Sequence, residues 1–352
     1  MAGTNNYHDE QNKHNIIKLR AILDTLPPFC DEFFRGIADT TSTRTRLAYA
    51  YDIRVFFEFL HETNSVCNKM EISEFPIEIL NQVTRQDIEE YLSYISYYEK
   101  DGKEITNTER GKARKLSSLR SFYNYYFQNE RIDKNTAELV PTPKLHEKAI
   151  IRLDPNEVAT LLDQVEAGTK LTKKELAYHE KTKIRDIALL TLLLGTGIRV
   201  SECVGLDMQD VDFDNNGIKI RRKGGYEAIV YFGDEVATAL EDYVEERKHC
   251  IPAAGHESAL FLSMQNRRIA VRSVENLVKK YASRVTTLKK ITPHKLRSTY
   301  GTTLYRETGD IYLVADVLGH KDVNTTRKHY ATMEEERRRM AAKAVKLRED
   351  KK

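Results

Sequence analysis

Tryptophan is absent from the 352 residues, cysteine occurs only four times, and no apolar run is long enough to cross a bilayer. The missing tryptophan excludes no function. The cysteines (Cys30, Cys67, Cys203, Cys250) are scattered, with no C-x-x-C pair and no Cys/His ligand spacing. They read as reduced thiols of a cytosolic protein, and no metal site is expected. The most apolar stretch, DIALLTLLL at 186–194, falls well short of the about 20 residues a spanning helix needs, so it reads as a buried helix. The opening MAGTNNYHDEQNKHN has no apolar centre, which argues against a secretory signal and for a cytoplasmic protein with no membrane partner. A dominant charge is also missing: 56 Lys and Arg oppose 53 Asp and Glu, for a net charge of +3. Binding to a polyanion needs a local rather than a global excess, so this balance neither supports nor opposes it. No repeat or low-complexity tract is present.

What is present is organised for two domains, as the length allows. Apolar residues at helical spacing dominate 12–130. One helix is expected over 12–25 (Ile16, Leu19, Ile22, Leu23), ended by Pro27-Pro28. A second is expected over 43–61 behind the caps Thr41 and Ser42, with Leu47, Tyr51, Val55, Phe56 and Phe59 as its stripe. A third covers 85–100 after Thr84, and Asp101-Gly102 breaks it. A fourth covers 109–129, burying Leu116, Leu119, Phe122, Tyr123 and Tyr126. Arg44, Lys112, Lys115 and Arg120 lie on the polar faces. They fit a solvated surface as well as a phosphate track, but the last three keep returning to one face of the fourth helix. Pro141-Thr142-Pro143 favours an extended connection. Beyond it, helices near 155–166 and 173–194 flank a charged stretch, 166–183, to which no role is assigned.

The chemistry lies in an ordered set: Arg199, Lys223, His294, Arg297, His320 and Tyr330. Cationic donors can surround a phosphate, a lysine can protonate a departing oxygen, and a phenol can attack, without metal or cofactor. Each residue alone has a bland reading. Arg199 follows the helix-ending Gly195-Thr196-Gly197, with Ser201 as a cap for the next helix and Glu202 placed to orient the guanidinium. Lys223-Gly224-Gly225 turns between two strands, Ile218–Ile220 and Tyr226–Phe232. Thr292-Pro293 starts a helix, placing His294 and Arg297 in its first turn, where free N–H groups favour anions. Gly309 closes that helix. Leu318-Gly319 then ends a short amphipathic one and presents His320. Tyr330 follows Asn324-Thr325-Thr326 among polar neighbours.

These stretches together resemble the tyrosine site-specific recombinases, the phage-integrase family with its Xer-like members. The carriers are Gly195-Thr-Gly-Ile-Arg199-Val-Ser-Glu202, Lys223-Gly224, His294-Lys-Leu-Arg297, Leu318-Gly-His320 and Thr325-Thr326 leading to Tyr330. KLSSLRSFYNYY at 115–126 is similar to the family's core-binding domain. One departure is the ten-residue step from His320 to Tyr330; nine is commoner and would fall on His329, but an imidazole cannot replace the phenol.

The resemblance implies a mainly helical fold with a small β-hairpin or sheet. It divides the chain into an N-terminal helix or extension (1–35), an all-helical core-binding domain (36–140), a linker (141–150), an α+β catalytic domain (151–335) and a helical tail (336–352) that neighbouring subunits could exchange. It implies cleavage and rejoining of double-stranded DNA at a specific recombination site, through a 3′-phosphotyrosyl link made by Tyr330. Arg199 and Arg297 would hold the non-bridging oxygens, His294 and His320 would add donors, and Lys223 would protonate the leaving oxygen. The expected partners are a second copy on the same site, a tetramer in the synapse, and an accessory or directionality protein. A type IB topoisomerase, sharing much of this chemistry, is the alternative.

Overall fold

The computed structural model describes residues 7–100, 102–146, 151–222, 225–320 and 322–323. The chain divides into two compact units, residues 1–148 and 149–352.

The first unit is a helical bundle with one hairpin. Helices α1 (Tyr7–Leu23), α2 (Phe29–Gly36), α3 (Thr43–Thr63), α4 (Ile79–Gln82) and α5 (Arg85–Tyr94) precede strands β1 (Tyr97–Lys100) and β2 (Lys103–Thr106), and α6 (Glu109–Gln128) follows. The stretch expected to be one helix as far as Lys100 stops at Tyr94. Its remainder pairs antiparallel with 103–106, Tyr97 opposite Thr106 and Lys100 opposite Lys103. Gly102 takes φ +67° in the turn, a conformation that glycine adopts without cost. Ser42 caps α3 by accepting from the Thr45 N–H, and Thr84 caps α5 reciprocally with Asp87. Helix α3 packs on α1 and α6. The core between them is aromatic: Phe33, Phe57, Phe122 and Tyr126 are buried, with edge-on ring contacts among Phe29, Phe33, Phe57 and Phe122. Tyr51, expected in the α3 stripe, is instead 42% exposed, with the Arg54 guanidinium 5.5 Å from its ring centre.

One charge lies inside this bundle. Asp52 on α3 is completely buried. It accepts from Arg114 Nη2 at 2.6 Å and from Arg114 Nη1, from Lys115 Nζ at 3.1 Å, and from Ser118 Oγ at 2.7 Å, all on α6. A buried carboxylate is tolerated when its lone pairs are filled in this way, and removing it leaves cations without a partner.

The second unit carries α7 (Pro155–Ala167), α8 (Lys173–His179), α9 (Lys183–Thr196) and α10 (Val200–Gly205), then β3 (Val211–Asp212), β4 (Gly217–Arg221) and β5 (Glu227–Tyr231), then α11 (Asp234–Lys248), α12 (Val271–Val285), α13 (Pro293–Thr308) and α14 (Ile311–Leu318). The strands form an antiparallel sheet in the order β3-β4-β5, with Ile218 opposite Val230 and Arg221 opposite Glu227. The dry helix α9 is the hub, packed on α7, α10, α11 and α13. The charged stretch 166–183 is not a loose insertion. Glu175 caps α8 and takes Arg284 of α12 at 2.6 Å; the Thr172 backbone N–H, the Arg284 hydrogen bond and the Thr172 hydroxyl pull its carboxyl down to about 2. At the other end of α8, buried His179 meets the Tyr281 hydroxyl at 3.1 Å, and that hydroxyl donates to buried Asp186 of α9 at 3.3 Å. Among the described residues no helix is long and apolar enough to cross a membrane.

Replacing Asp52 with Ala should lower the unfolding free energy by about 3 kcal/mol, because the buried Lys115 ammonium loses its counter-charge. The urea midpoint of the whole chain reads this. A loss within about 0.5 kcal/mol, ordinary for an uninvolved surface site, would show that solvent satisfies the two cations instead.

Candidate active site

Four helix ends and one strand turn meet in the second unit. Helix α9 stops where Gly197 adopts φ +63°. A Cβ there would lie 2.4 Å from Cδ1 of Tyr300 and 3.1 Å from Cδ2 of Leu318, so only glycine allows α13 and α14 so close. Arg199 is then the N-cap residue of α10. Ser201, expected to cap that helix, lies inside its first turn. Buried Glu202 does the work, accepting from the Arg199 backbone N–H at 2.7 Å and from Arg199 Nη1 at 2.8 Å. One carboxylate therefore starts the helix and aims the guanidinium.

Helix α13 begins at Pro293; Thr292 stands at its N-cap position but makes no side-chain cap bond. His294 and Arg297 occupy different environments within one turn. His294 is exposed, whereas Arg297 is 6% exposed. Arg297 donates through Nη1 to the Gly197 carbonyl at 2.6 Å and through Nη2 to the Leu318 carbonyl. Helix α14 starts at Asp310, whose carboxylate accepts from the Tyr312 and Leu313 N–H groups. It ends at Gly319, φ +61°, from which the half-buried His320 returns its N–H to the Ala315 carbonyl at 2.9 Å.

The C-terminal carbonyls of α14 hold the arrangement together. Val317 O accepts from Arg222 Nη2 at 2.9 Å, Leu318 O from Arg297 Nη2, and Gly319 O from Arg199 Nη2 at 3.4 Å. The last carbonyls of a helix lack partners within it and carry partial negative charge, so guanidinium groups suit them. Arg199, Arg297 and His320 are thus brought to one helix end, with Glu202 behind Arg199. A guanidinium has five N–H donors in a planar fork, more than Glu202 and Gly319 take from Arg199, and this fork matches phosphate oxygens. Lys223 and Tyr330, like the tail 336–352, lie outside the described residues. Arg222 was not singled out from the sequence; its signal there is the cationic run Arg221-Arg222-Lys223 at the turn.

In the first unit the basic residues separate by environment. Arg44 is exposed in the first turn of α3, and Lys112 is half-buried. Lys115 departs from the expected phosphate track: it is 7% exposed and turned inward to Asp52. Arg114, beside it, keeps 51% of its side chain exposed while gripping the same carboxylate. Arg120 spends its guanidinium on the chain that follows α6, donating to Ala137 O, Val140 O and the Thr142 hydroxyl. Among the described residues no cluster of three or more His, Cys, Asp or Glu side chains could hold a metal ion.

The phage integrase family model matches residues 152–337, and the N-terminal SAM-like domain of phage integrases matches 30–130. The chain belongs to the phage integrase family and is a tyrosine recombinase. The tyrosine recombinase XerC of Caldanaerobacter subterraneus subsp. tengcongensis is 33% identical over 314 residues, covering 86% of this chain and 82% of the relative. The tyrosine recombinase XerS of Streptococcus agalactiae is 30% identical over 335 residues, covering 88% and 93%. Among solved structures, the XerH site-specific recombinase bound to a palindromic difH substrate shares the fold, with a TM-score of 0.64 at 19% identity over 87% of this chain and 81% of that one. The Tn1549 transposon integrase with circular intermediate DNA aligns at TM-score 0.61 and 22% identity over 88% and 98%. These similarities do not favour a type IB topoisomerase.

Glu202→Gln should leave Arg199 beside an amide that presents N–H groups to it. Strand cleavage is expected to slow on the order of 10²-fold, the cost of a misplaced group in a preorganised site, with duplex binding retained. An unchanged cleavage rate would mean that Arg199 is aimed by something other than Glu202.

Proposed function

We propose that this recombinase cuts and rejoins both strands of a specific duplex site, one strand pair at a time, with Tyr330 as nucleophile. The observation that carries the reading is the gathering of Arg199 and Arg297 on the helix end that leads into His320. Two planar cations on a preorganised frame would bind the non-bridging oxygens and strengthen as charge builds on them, with His320 and His294 as further donors. The Tyr330 oxygen forms a bond to phosphorus as the bond from phosphorus to the 5′-oxygen breaks. The phenol proton, ordinarily held to near pH 10, passes to His294, and Lys223 supplies a proton to the 5′-oxygen. Because the bond energy stays in the 3′-phosphotyrosyl link, the 5′-hydroxyl of the exchange partner can reverse the step without ATP or a cofactor.

The division of labour follows the chain. Residues 36–140 would form the core-binding domain and 151–335 the catalytic domain, joined by the 141–150 connection. Arg44, Lys112 and the exposed Arg114 are the candidates to track phosphates in the first; Lys115 is withdrawn from that role by Asp52. The enzyme would act as a dimer on each site and a tetramer in the synapse, with the tail and its stripe Met340, Ala344 and Leu347, which Met333 begins just before it, donated to a neighbour. An accessory or directionality protein would set the outcome. The working compartment would be the cytoplasm, at the nucleoid.

A suicide substrate, nicked so that religation is impossible, tests the assignment. Tyr330→Phe should bind the duplex and form no covalent adduct; adduct at the wild-type level would remove Tyr330 from the reaction. On the same substrate Arg297→Ala should cleave on the order of 10²–10³ more slowly, as for other preorganised oxyanion donors. A near-normal rate would leave Arg297 as a purely structural tie.

A further inference from the structure

We infer that Arg222 is a positioning residue for strand cleavage: it fastens the hairpin that carries Lys223 to the carbonyl end of α14. The inference rests on the reading of Lys223 as proton donor.

The β4–β5 ladder ends at the pair Arg221–Glu227. Beyond it the turn is shaped by bonds within itself: Arg222 N–H to Tyr226 O at 2.9 Å, Gly225 N–H to Arg222 O at 3.0 Å, and Arg221 Nε to Gly225 O at 3.3 Å. Those three bonds tie the turn to nothing outside. Arg222 Nη2, donating to Val317 O at 2.9 Å across 95 residues of chain, does so. Its guanidinium also fills the space where a side chain at Gly319 would stand. A Cβ on Gly319 would lie 1.4 Å from Arg222 Nη1 and 2.5 Å from its Cζ. The glycine that ends α14 thus serves twice, by its positive φ and by admitting Arg222.

Lys223 is the next residue in the chain. An anchor on the residue before it would limit where the lysine can start from, at the helix end that also holds Arg199 and Arg297. The Val317 carbonyl bears only a partial charge, so the tie adds no full negative charge where a phosphate must sit. A direct phosphate contact by Arg222 is the competing role, and the two separate chemically. A proton donor matters only when the leaving atom is a poor leaving group. A departing alkoxide corresponds to an acid as weak as bulk water, whereas a thiol titrates near 8.5 and leaves without help. Phosphate contacts act on both.

The experiment compares suicide-substrate cleavage of the ordinary phosphodiester with that of the same duplex carrying a 5′-bridging sulfur at the scissile position. Arg222→Ala should cleave the oxygen substrate on the order of 10–10² more slowly, part of what general acid catalysis contributes, and recover most of the wild-type rate on the sulfur substrate. Equal losses on both substrates, or no loss on either, would overturn the inference. Lys223→Ala is run alongside. If the sulfur rescues it but not Arg222→Ala, the positioning role alone is lost; if the sulfur does not rescue Lys223→Ala, the proton-donor reading fails and takes the inference with it. Arg222→Met keeps the apolar stem against Gly319 and loses the donors, and it decides the case should the alanine variant unfold. Rescue by sulfur requires a folded, bound enzyme, so a general loss of structure cannot imitate it.

Discussion

Three guanidinium groups, from the start of α10, the turn after β4 and the first turns of α13, end on three successive carbonyl oxygens of α14. Arg199, Arg222 and Arg297 would repel one another as bare neighbouring cations, and Arg297 is almost wholly removed from water. Burial of a charge is costly unless its donors are filled. A carboxylate could fill them, but it would also cancel the charge. Carbonyl oxygens at a helix C-terminus satisfy the donors with partial charges alone. The cations are held rigidly and their net positive field survives, which is what an anion-binding site requires. The exception, Glu202, lies behind Arg199 and also starts α10. Its charge does two jobs, and it takes Nη1 of Arg199 while the carbonyl of Gly319 takes Nη2.

Such close approach of helix ends depends on missing atoms. Gly197 lets the ring of Tyr300 and the side chain of Leu318 lie against the end of α9, and Gly319 lets Arg222 lie against the end of α14. Both glycines have positive φ, so a substitution at either meets backbone strain and collision together. The first unit uses the opposite device. There a full carboxylate, Asp52, is buried in the bundle to hold Arg114 and Lys115 on α6. Two cations against one anion still leave a positive remainder, and it falls on Arg114, whose side chain stays half exposed. Each unit therefore keeps arginine in a defined place by anchoring its donors to something interior.

The helices were legible in the sequence where apolar periodicity agreed with end signals. The Ser42 and Thr84 caps, Gly197 and Gly319 as stops, and Pro293 as a start all mark element boundaries observed in the structure. Two features were not. The strands at 97–100 and 103–106 are each four residues long, too short for alternation to outweigh the helical pattern before them. The charged 166–183 stretch could be given no role because its partners, Arg284 and Tyr281, lie about a hundred positions away. Charges paired over such separations leave no local mark.

The same limit explains which parts of the site could be read. Residue types able to do phosphate chemistry were visible as an ordered set, because arginine, histidine and tyrosine each carry a recognisable chemistry. Their environments were not visible. Lys115 sits between the buried side of α6 and its polar face, and only the position of Asp52, 63 residues earlier, turns it inward. Arg222 is harder still, for its partner is a main-chain carbonyl, and every residue has one. A side chain that binds backbone selects no partner residue type, so no pairing rule in the sequence can reveal it. What the sequence does carry is the complementary vacancy: the glycine at 319, read first as a helix stop, is also the only residue small enough to let an arginine reach the carbonyls behind it.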